Sequence, residues 1–330
     1  MNKQLEFLKQ IVINCPNRKI SVATDCSGIE APITALNIMK IKHVHLWSSE
    51  INDACIETIK ANYSPLCIYG DLMNRNNQKI KKPDIYIAGF PCQSFSNLGY
   101  RMGFNDLQKG IIFFGCYDTI CKTQPIVFIL ENVKGLVSHN KGDTFRTIID
   151  YLENIGGYNI YYDILNTIDY GLPQYRERVY IIGIKKTHLI KPFLFPNKLK
   201  LNVKVSDLID YNYYEPTTLT SHKLSILHDL YNHNIIDPHH NWIVNLNVSS
   251  YKRSSPMNDV SPCLMAQGAI YYSTLLERNL SPREFLRIQG FPDTFKQVSS
   301  DNITYGQVGN SMSTSVLVCL FNQIFDCVMF

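Results

Sequence analysis

The first half of the chain alternates short apolar runs with stretches of helical periodicity. Four strand-like runs occur in the order ISVATD, HVHLWSSE, DIYIAGF and PIVFILENV. Helical stretches begin at Pro32, at Asn52 and near residue 142. Such alternation is typical of βαβ units, whose strands lie parallel and whose helices cover the faces of one sheet. The pattern therefore predicts an α/β fold with a mostly parallel sheet.

The second half predicts an edge to this sheet and then a change of architecture. YNIYYDILN and VYIIGI read as two more strands, whereas 188–272 is loop-rich and holds six of the nine histidines. Helical patterning returns afterwards, with Ser281 as an N-cap before Pro282 and Glu284 in the first turn. We therefore expect one domain from 1–187 plus 273–330 and a second domain at 188–272.

Composition narrows the class of protein. The chain has 330 residues, a net charge of +4 and 45% hydrophobic residues, enough for a sizeable core. Its ten cysteines form no CxxC pair, which argues against a zinc ribbon or a disulfide framework. There is no long apolar run and no secretory signal pattern. We expect a cytoplasmic protein, or one in the host nucleus or cytoplasm if the source is viral, with no membrane partner and no metal.

Polar or small residues follow several predicted strands, where ligands of open parallel sheets collect. Gly28 would let the main chain approach a ligand closely. Glu50 lies 22 residues further on, near the spacing at which an acidic residue accepts hydrogen bonds from a ribose. Asp71 follows the next strand and would accept from an adenine amino group. Each also has an ordinary interpretation, as a tight turn, an exposed glutamate or a loop aspartate.

Cys92 lies in GFPCQSFS, directly after a predicted strand. A single cysteine is by default a buried packing residue. Here Gly89 and Pro91 constrain the loop, and the residues that follow are polar rather than apolar. These neighbours favour a thiolate nucleophile.

Glu131 ends the buried run PIVFILEN, so its carboxyl group would open at the same edge as Cys92. Partial desolvation would raise the pKa of that carboxyl group and suit it to donate a proton. A helix-capping role shared with Asn132 is the alternative. Arg176 and Arg178 alternate along a predicted strand and should share a face, where they bind a ligand or are merely solvated.

Five segments, taken together and in order, resemble the motifs of cytosine-C5 DNA methyltransferases: PCQSFS, ENV, QYRER, RNLSPREFLRIQGFPDTF and YGQVGNSMSTSV. The resemblance covers nearly everything outside 188–272. It implies a Rossmann-like S-adenosylmethionine-dependent methyltransferase sheet, with 188–272 as the target-recognition domain. The implied activity is transfer of a methyl group from S-adenosylmethionine to C5 of cytosine in a short duplex sequence.

The resemblance also implies the catalytic roles. Cys92 attacks C6 of the cytosine, and Glu131 contacts and protonates N3 while Asn132 orders the loop. Arg178 holds the base O2 and supports Glu131. Two more residues of this surface are Gln174 and Arg176.

Cofactor contacts implied by the resemblance come from several strand ends and from the closing motif: Cys26, Ser27, Gly28, Ile29, Glu50, Ile51, Asp71, Leu72, Pro91, Ile112, Asn310 and Ser311. The first motif departs from the common family pattern at three positions. Thr24 stands where an aspartate is common, Cys26 where phenylalanine is usual and Glu30 where glycine is common. The contacts of Asp25 and Cys26 therefore stay open.

Double-stranded DNA is the partner that the resemblance implies, with the target cytosine flipped out of the helix. Gln93 and Ser96 would close around the flipped base. Lys252 and Arg253 would contact the DNA, although exposed cations are more often simply solvated. A companion restriction endonuclease is a further expected partner, and we expect a monomer. Two alternatives remain at this point: a tRNA cytosine methyltransferase, and a catalytically inactive regulatory relative.

Overall fold

The computed structural model of the chain describes residues 2–91, 112–213, 217–266 and 270–330. These residues form two compact units. The larger unit comprises 13–165, 177–197 and 317–330. The smaller unit comprises 1–12, 166–176 and 198–316. The domain boundaries expected from the sequence, and the recognition role of 188–272, stay predictions.

The larger unit is built on a seven-stranded sheet. Its strands are β1 (Ile20–Asp25), β2 (His43–Ser49), β3 (Cys67–Tyr69), β4 (Ile85–Gly89), β5 (Val127–Val133), β6 (Tyr158–Asn166) and β7 (Glu177–Lys185). Their order is β3-β2-β1-β4-β5-β7-β6. The first five of these strands pair in parallel, and β7 runs antiparallel to β5. The mostly parallel sheet is confirmed, with β6 and β7 at its edge.

Helices follow the strands of the larger unit: α1 (Ala31–Ile38), α2 (Asp53–Asn62), α3 (Ile112–Thr123), α4 (Gly135–Ser138) and α5 (Asp143–Asn154). Asn52 caps α2, because its Oδ1 accepts a hydrogen bond from the Cys55 N–H at 3.1 Å. In α5, Phe145, Ile148 and Leu152 recur at helical spacing and are buried. Such a stripe packs one face of a helix on the core.

The smaller unit contains an antiparallel sheet of short strands in the order β11-β10-β8-β9. These strands are β8 (Trp242–Asn245), β9 (Met257–Asn258), β10 (Tyr271–Ser273) and β11 (Arg278–Asn279). The remaining helices are α6 (Ser221–Asn232), α7 (Pro282–Gln289), α8 (Asp301–Asn310) and α9 (Thr314–Cys327). From residue 317 onward, α9 belongs to the larger unit.

Short 3₁₀ helices complete the secondary structure of the described residues: Lys3–Gln10, Leu72–Asn74, His139–Gly142, Thr167–Tyr170, Lys186–His188, Val205–Asp207 and Tyr251–Arg253. Throughout the described ranges, no helix has both the length and the apolar character needed to cross a membrane.

The start of α7 confirms the predicted capping box. Ser281 Oγ accepts from the Glu284 N–H at 3.2 Å, and Glu284 Oε2 accepts from the Ser281 N–H at 2.7 Å. Pro282 occupies the first turn, where its missing N–H costs nothing. The buried Glu284 carboxylate also receives both terminal nitrogens of Arg278, at 2.8 and 3.0 Å. One carboxylate therefore fixes the helix start and the strand before it.

Gly183 on β7 tests how tightly the sheet packs. It lies opposite Phe128 on β5, and an added Cβ would come within 2.1 Å of the buried Phe128 ring. We predict that Gly183→Ala lowers the free energy of unfolding by about 1–3 kcal/mol, because overpacking forces neighbouring side chains to move. Gly135→Ala is the control, since its Cβ would meet nothing within 4 Å among the described residues. Denaturant unfolding measures both, and equal stabilities would contradict the packing described here.

Candidate active site

The parallel register brings the ends of neighbouring strands to one edge of the sheet. Asp25, the last residue of β1, pairs with Ser49 on β2 and with Ala88 on β4. On β4 and β5, Gly89 pairs with Glu131. The residues that follow these positions therefore open at the same carboxyl edge. In the strand order, β1 and β4 adjoin where the chain reverses its direction of winding, which is where ligands of such sheets bind.

The loop after β1 has an unusual main-chain path. Cys26, Gly28 and Glu30 have φ angles of 50°, 53° and 62°, all in the left-handed region. The Ser27 N–H donates to the Ser49 carbonyl at 3.0 Å, so the loop is joined to the end of β2. A cofactor approaching Gly28 would meet main chain without a side chain in the way.

Glu50 organises the neighbouring strand end. Its Oε2 accepts from the Gly28 N–H at 2.8 Å, and its Oε1 accepts from the N–H groups of Ile51 and Asn52 at 2.9 and 3.0 Å. Each carboxylate oxygen has two lone pairs, so Oε2 keeps capacity for a hydroxyl donor. The carboxylate is half-buried and fixed by main-chain donors, as a ribose-binding acidic residue needs to be.

The surroundings of Glu50 fit an adenosyl group. The Ile51 side chain is 76% exposed although it is apolar, which suits a surface on which a flat ring packs. A Cβ at Gly28 or at Gly70 would meet nothing within 4 Å among the described residues, so both positions border open space. Asp71 is exposed and accepts from the Met73 N–H at 2.9 Å. An acidic acceptor, an exposed apolar side chain and two open glycines thus lie on adjacent strand ends.

Other predicted cofactor residues contribute differently. Ile29 is 1% exposed and Leu72 is 5% exposed, so both side chains pack in the interior and chiefly main chain is left for a ligand. Ile112 begins α3 and packs against the core. Pro91 is exposed just beyond β4. Within the smaller unit, Asn310 is exposed and Ser311 is buried at the end of α8.

Cys26 carries an unreactive thiol. Its hydrogen bond with the Cys116 thiol, together with burial, raises the pKa of Cys26 well above the ordinary value for a thiol. The thiolate is the nucleophilic form, so Cys26 stays neutral and inert near pH 7. Within the loop, its side chain packs against the core.

A buried ion pair supports the loop from the side of β1. Arg75 donates from Nη1 and Nη2 to the two oxygens of Asp25, each at 2.7 Å, and both side chains are almost fully buried. Asp25 also accepts from Tyr86 Oη at 2.8 Å. Burial alone would lower the pKa of Arg75, but the hydrogen bonds and charge of Asp25 raise it above its ordinary value. The pair stays ionised and holds the last residue of β1 in place.

Glu131, Asn132 and Arg178 form the second half of the edge. The Glu131 carboxylate is mostly buried, with its Oε1 3.2 Å from Arg178 Nε. Asn132 Nδ2 donates to the Phe90 carbonyl at 2.7 Å, two residues before Cys92 in sequence. Asn132 thus joins the end of β5 to the end of β4. The contact agrees with a role for Asn132 in ordering the segment that leads to Cys92.

Arg176 donates hydrogen bonds to several main-chain carbonyl groups. It lies one residue before β7 and is 2% exposed. Its Nη1 donates to the Leu264 carbonyl at 2.9 Å, and its Nη2 donates to the carbonyls of Gly309 and Ser311 at 3.2 and 2.8 Å. That Arg176 and Arg178 share one face stays a prediction. These contacts make Arg176 a positioning residue of the smaller unit.

Gln174 contributes further hydrogen bonds to the segment that Arg176 contacts. Its Nε2 donates to Gln289 Oε1 at 2.7 Å, and Gln289 Nε2 donates to the Ser311 carbonyl at 2.6 Å. Gly309 is packed so closely that an added Cβ would lie 2.2 Å from the main chain of Met265. Gln174 and Arg176 therefore fix the segment around residues 309–311 within the smaller unit.

Several predicted residues have a different status. Cys92, Gln93 and Ser96 lie outside the described residues. Lys252 and Arg253 are exposed in the 3₁₀ helix of the smaller unit, where Lys252 Nζ lies 6.0 Å from the centre of the Tyr251 ring. In the parts of the chain that the structure describes, no group of three or more His, Cys, Asp or Glu side chains is arranged for a metal ion.

Sequence reasoning missed two features of this edge. Arg75 stands in DLMNRNN, and no motif or spacing links it to Asp25 fifty residues away. The sequence marks Glu30 only as a departure from a family pattern, yet it is the fully buried centre of a hydrogen-bonded cluster. The sequence signal for this cluster is the charged Glu30 within SGIEAP, whose other residues are small or apolar.

Comparisons with known proteins agree with this geometry. A family model described as C-5 cytosine-specific DNA methylase matches residues 20–326. The Type II methyltransferase M.NgoBI of Neisseria gonorrhoeae is 33% identical over 294 residues, covering 86% of each chain. M.HaeII of Haemophilus aegyptius, also a Type II methyltransferase, is 36% identical over 258 residues, covering 76% of each chain. The S. pombe Dnmt2 methyltransferase structure matches with a TM-score of 0.65 at 18% identity, covering 93% of this chain and 99% of that one, which confirms the fold class.

The buried hydrogen bonds from Arg176 to three main-chain carbonyls predict a stability effect. We expect Arg176→Met to lower the free energy of unfolding by about 3 kcal/mol, because buried carbonyl acceptors would lose their donors. Arg253→Met is the control in the same unit, and its exposed side chain should change stability by less than about 0.5 kcal/mol. Urea unfolding of both variants checks this. Similar values would mean that the desolvation of the guanidinium group offsets its hydrogen bonds.

Proposed function

The chain belongs to the C-5 cytosine-specific DNA methylase family, and from this membership we propose that it flips a target cytosine out of duplex DNA and methylates C5 through a bond between Cys92 and C6. The protein is a DNA cytosine methyltransferase, with DNA as substrate and S-adenosylmethionine as methyl donor. The proposal adds the order of chemical steps and the residues that perform them.

The observation that carries the proposal is the junction of β4 and β5. Gly89 pairs with Glu131, and Asn132 holds the Phe90 carbonyl. Cys92 follows within three residues of Gly89 in the chain. A nucleophile and an acid that act on one pyrimidine ring must lie close together, which supports the pairing of Cys92 with Glu131 in this proposal.

We infer the following roles for the protein groups. The Cys92 thiolate adds to C6 while the Glu131 carboxyl group donates a proton toward N3. The C5–C6 bond becomes single and its electron pair forms a C4–C5 double bond, an enamine in which C5 is nucleophilic. Arg178 keeps the Glu131 carboxyl group in place through their contact and would hold the base O2. After methylation, a base removes the C5 proton and the C6–S bond breaks, which regenerates the thiolate.

The methyl donor supplies an electrophilic methyl group when bound. Glu50 would accept from its ribose hydroxyl groups, and Ile51 would pack against its adenine. Gly28 would let main chain lie alongside it, and Asp71 would face the adenine amino group. The remaining predicted contacts are Cys26, Ser27, Ile29, Leu72, Pro91, Ile112, Asn310 and Ser311.

Base flipping follows from the geometry of stacked DNA. Within the duplex, neighbouring base pairs cover the faces of the cytosine ring, so neither a thiolate nor a methyl donor can approach C6 or C5. Gln93 and Ser96 belong to the segment that we expect to surround the flipped base. Lys252 and Arg253 are exposed cations suited to phosphate contacts.

The proposal also includes a companion enzyme and an oligomeric state. Relatives such as M.NgoBI and M.HaeII are Type II methyltransferases, so we infer a companion restriction endonuclease that reads the same sequence. We also infer that the protein acts as a monomer. Family membership favours DNA over the tRNA alternative, and the presence of Cys92, Glu131 and Arg178 argues against an inactive regulatory relative.

Replacing Cys92 tests the covalent step. We predict that Cys92→Ser abolishes methylation of an unmethylated plasmid, since a serine hydroxyl is far less nucleophilic than a thiolate. Its affinity for S-adenosylmethionine should stay within a few-fold of the original value. Bisulfite sequencing of the plasmid measures the product and reveals the target sequence.

The control for this experiment is Cys121→Ser, since Cys121 lies in α3 and its thiol pKa is raised by burial. Methylated cytosines in one recurring context, retained with Cys121→Ser and lost with Cys92→Ser, are the expected result. Methylation that survives Cys92→Ser would reject the nucleophile assignment, and methylation of tRNA alone would reverse the choice of substrate.

The proposed DNA contacts predict a change in salt dependence. Replacing both Lys252 and Arg253 by alanine should reduce the slope of log affinity against log salt by about 2, since each phosphate contact contributes about 0.9. The matched control is the double variant Lys200→Ala, Lys204→Ala, which removes two exposed cations of the same unit. Titration of a labelled duplex at several salt concentrations gives both slopes, and equal slopes would contradict the assignment.

A further inference from the structure

Glu30 is a carboxylate without exposure to solvent, immediately beyond the cofactor loop. It precedes α1 with a φ of 62°, and its side chain makes no capping bond to that helix. Its residue type is therefore not explained by helix capping. Burying a carboxylate is costly unless hydrogen bonds and charges compensate for the lost water.

The Glu30 carboxylate gathers two hydroxyl groups and a histidine. Its Oε1 accepts from Thr24 Oγ1 and from Ser48 Oγ, each at 2.5 Å, and lies 3.3 Å from His45 Nε2. Ser48 Oγ also lies 3.0 Å from the same His45 nitrogen. One oxygen thus ties the end of β1 to the end of β2.

This cluster is only partly satisfied. Glu30 Oε2 and His45 Nδ1 are buried and have no hydrogen-bond partner among the described residues. A group that served stability alone would be expected to have its hydrogen-bonding capacity filled. The incomplete satisfaction points to a function for the carboxylate beyond holding the core together.

A hydrogen-bonded relay leads from Glu30 to the cofactor loop. Thr24 Oγ1 lies 2.7 Å from Ser27 Oγ, and Ser27 Oγ accepts from the Ser49 N–H at 3.0 Å. Ser27 adjoins Gly28, whose N–H donates to Glu50. A displacement of the Ser27 side chain would therefore alter the relation between Gly28 and Glu50.

We propose that Glu30 is a positioning residue for the cofactor, which sets the distance between Gly28 and Glu50 through Thr24 and Ser27. This rests on the proposed function, in which these two residues bind S-adenosylmethionine. The Asp25–Arg75 pair fixes the loop at its start, and the Glu30 cluster fixes it at its end. Glycine is common at this position of the family motif, so this chain has a second anchor that a glycine does not provide.

The relay acts through accepted hydrogen bonds rather than through charge alone. Glutamine at position 30 keeps an oxygen that both hydroxyl groups can bond, whereas alanine removes it. Valine at position 24 has nearly the shape of threonine but lacks the hydroxyl group that joins Glu30 to Ser27. These substitutions separate the relay from general packing.

The test compares Thr24→Val with Thr34→Val. Both threonines are buried, and Thr34 bonds the Glu30 carbonyl and Tyr63 Oη rather than Ser27. We expect Thr24→Val to weaken binding of S-adenosylhomocysteine about five- to tenfold, from the loss of one buried hydrogen bond. Thr34→Val should stay within about twofold. Calorimetric titration measures the affinities, and thermal unfolding shows whether the two variants lose comparable stability.

Further variants sharpen the outcome. Glu30→Gln should bind within about threefold of the original protein and Glu30→Ala at least as weakly as Thr24→Val. The KM for S-adenosylmethionine should rise in parallel with the dissociation constant for Thr24→Val, with a smaller change in kcat. A positioning role predicts this split, whereas general destabilisation would not.

Glu50→Ala separates failure of the relay from failure of the proposed site. If Glu50→Ala weakens binding strongly and Thr24→Val binds as well as Thr34→Val, the relay is overturned and the cofactor site stands. If Glu50→Ala leaves binding unchanged, the proposed cofactor site itself is wrong. Weak binding by Thr24→Val and Glu50→Ala, with normal binding by Thr34→Val, supports both.

Discussion

The parallel register of β2, β1, β4 and β5 is the constraint on which the functional edge depends. Because Asp25 pairs with both Ser49 and Ala88, and Gly89 pairs with Glu131, the residues after these strands open at one boundary of the sheet. A shift of one strand by a single residue would reverse the faces of its side chains. The positions of the catalytic groups therefore depend on the main-chain hydrogen bonds that set the register of these strands.

Buried charged groups then convert this edge into a defined geometry. Arg75 and Asp25 neutralise each other inside the core, and Glu30 draws together hydroxyl groups from β1 and β2. Burial makes the loss of one partner costly, because the other is left in a medium that solvates it poorly. Such contacts hold a loop with left-handed main-chain angles more firmly than apolar packing would, since hydrogen bonds are directional.

The sequence predicted the elements better than the contacts between them. Strong apolar runs such as VFILENV identify a buried strand, and the SPRE pattern identifies a helix start, because both signals are local. The link between Arg75 and Asp25 depends on how distant elements pack, so no local pattern contains it. Arg176 shows the same limit: alternation along a strand suggests a face, but the three carbonyl partners come from residues 264–311.

The division of the chain between the units has a consequence for biosynthesis. The larger unit takes residues from 13–165, 177–197 and 317–330, so the segment that completes it is synthesised only after 198–316 of the smaller unit. Until the end of α9 has been synthesised, the sheet that carries Glu50 and Glu131 lacks part of its core. The end of α9 contributes the buried Phe321 and Ile324. A chain cut short by a premature stop would lack this segment. The larger unit thus completes its fold only after the segments of the smaller unit have been synthesised.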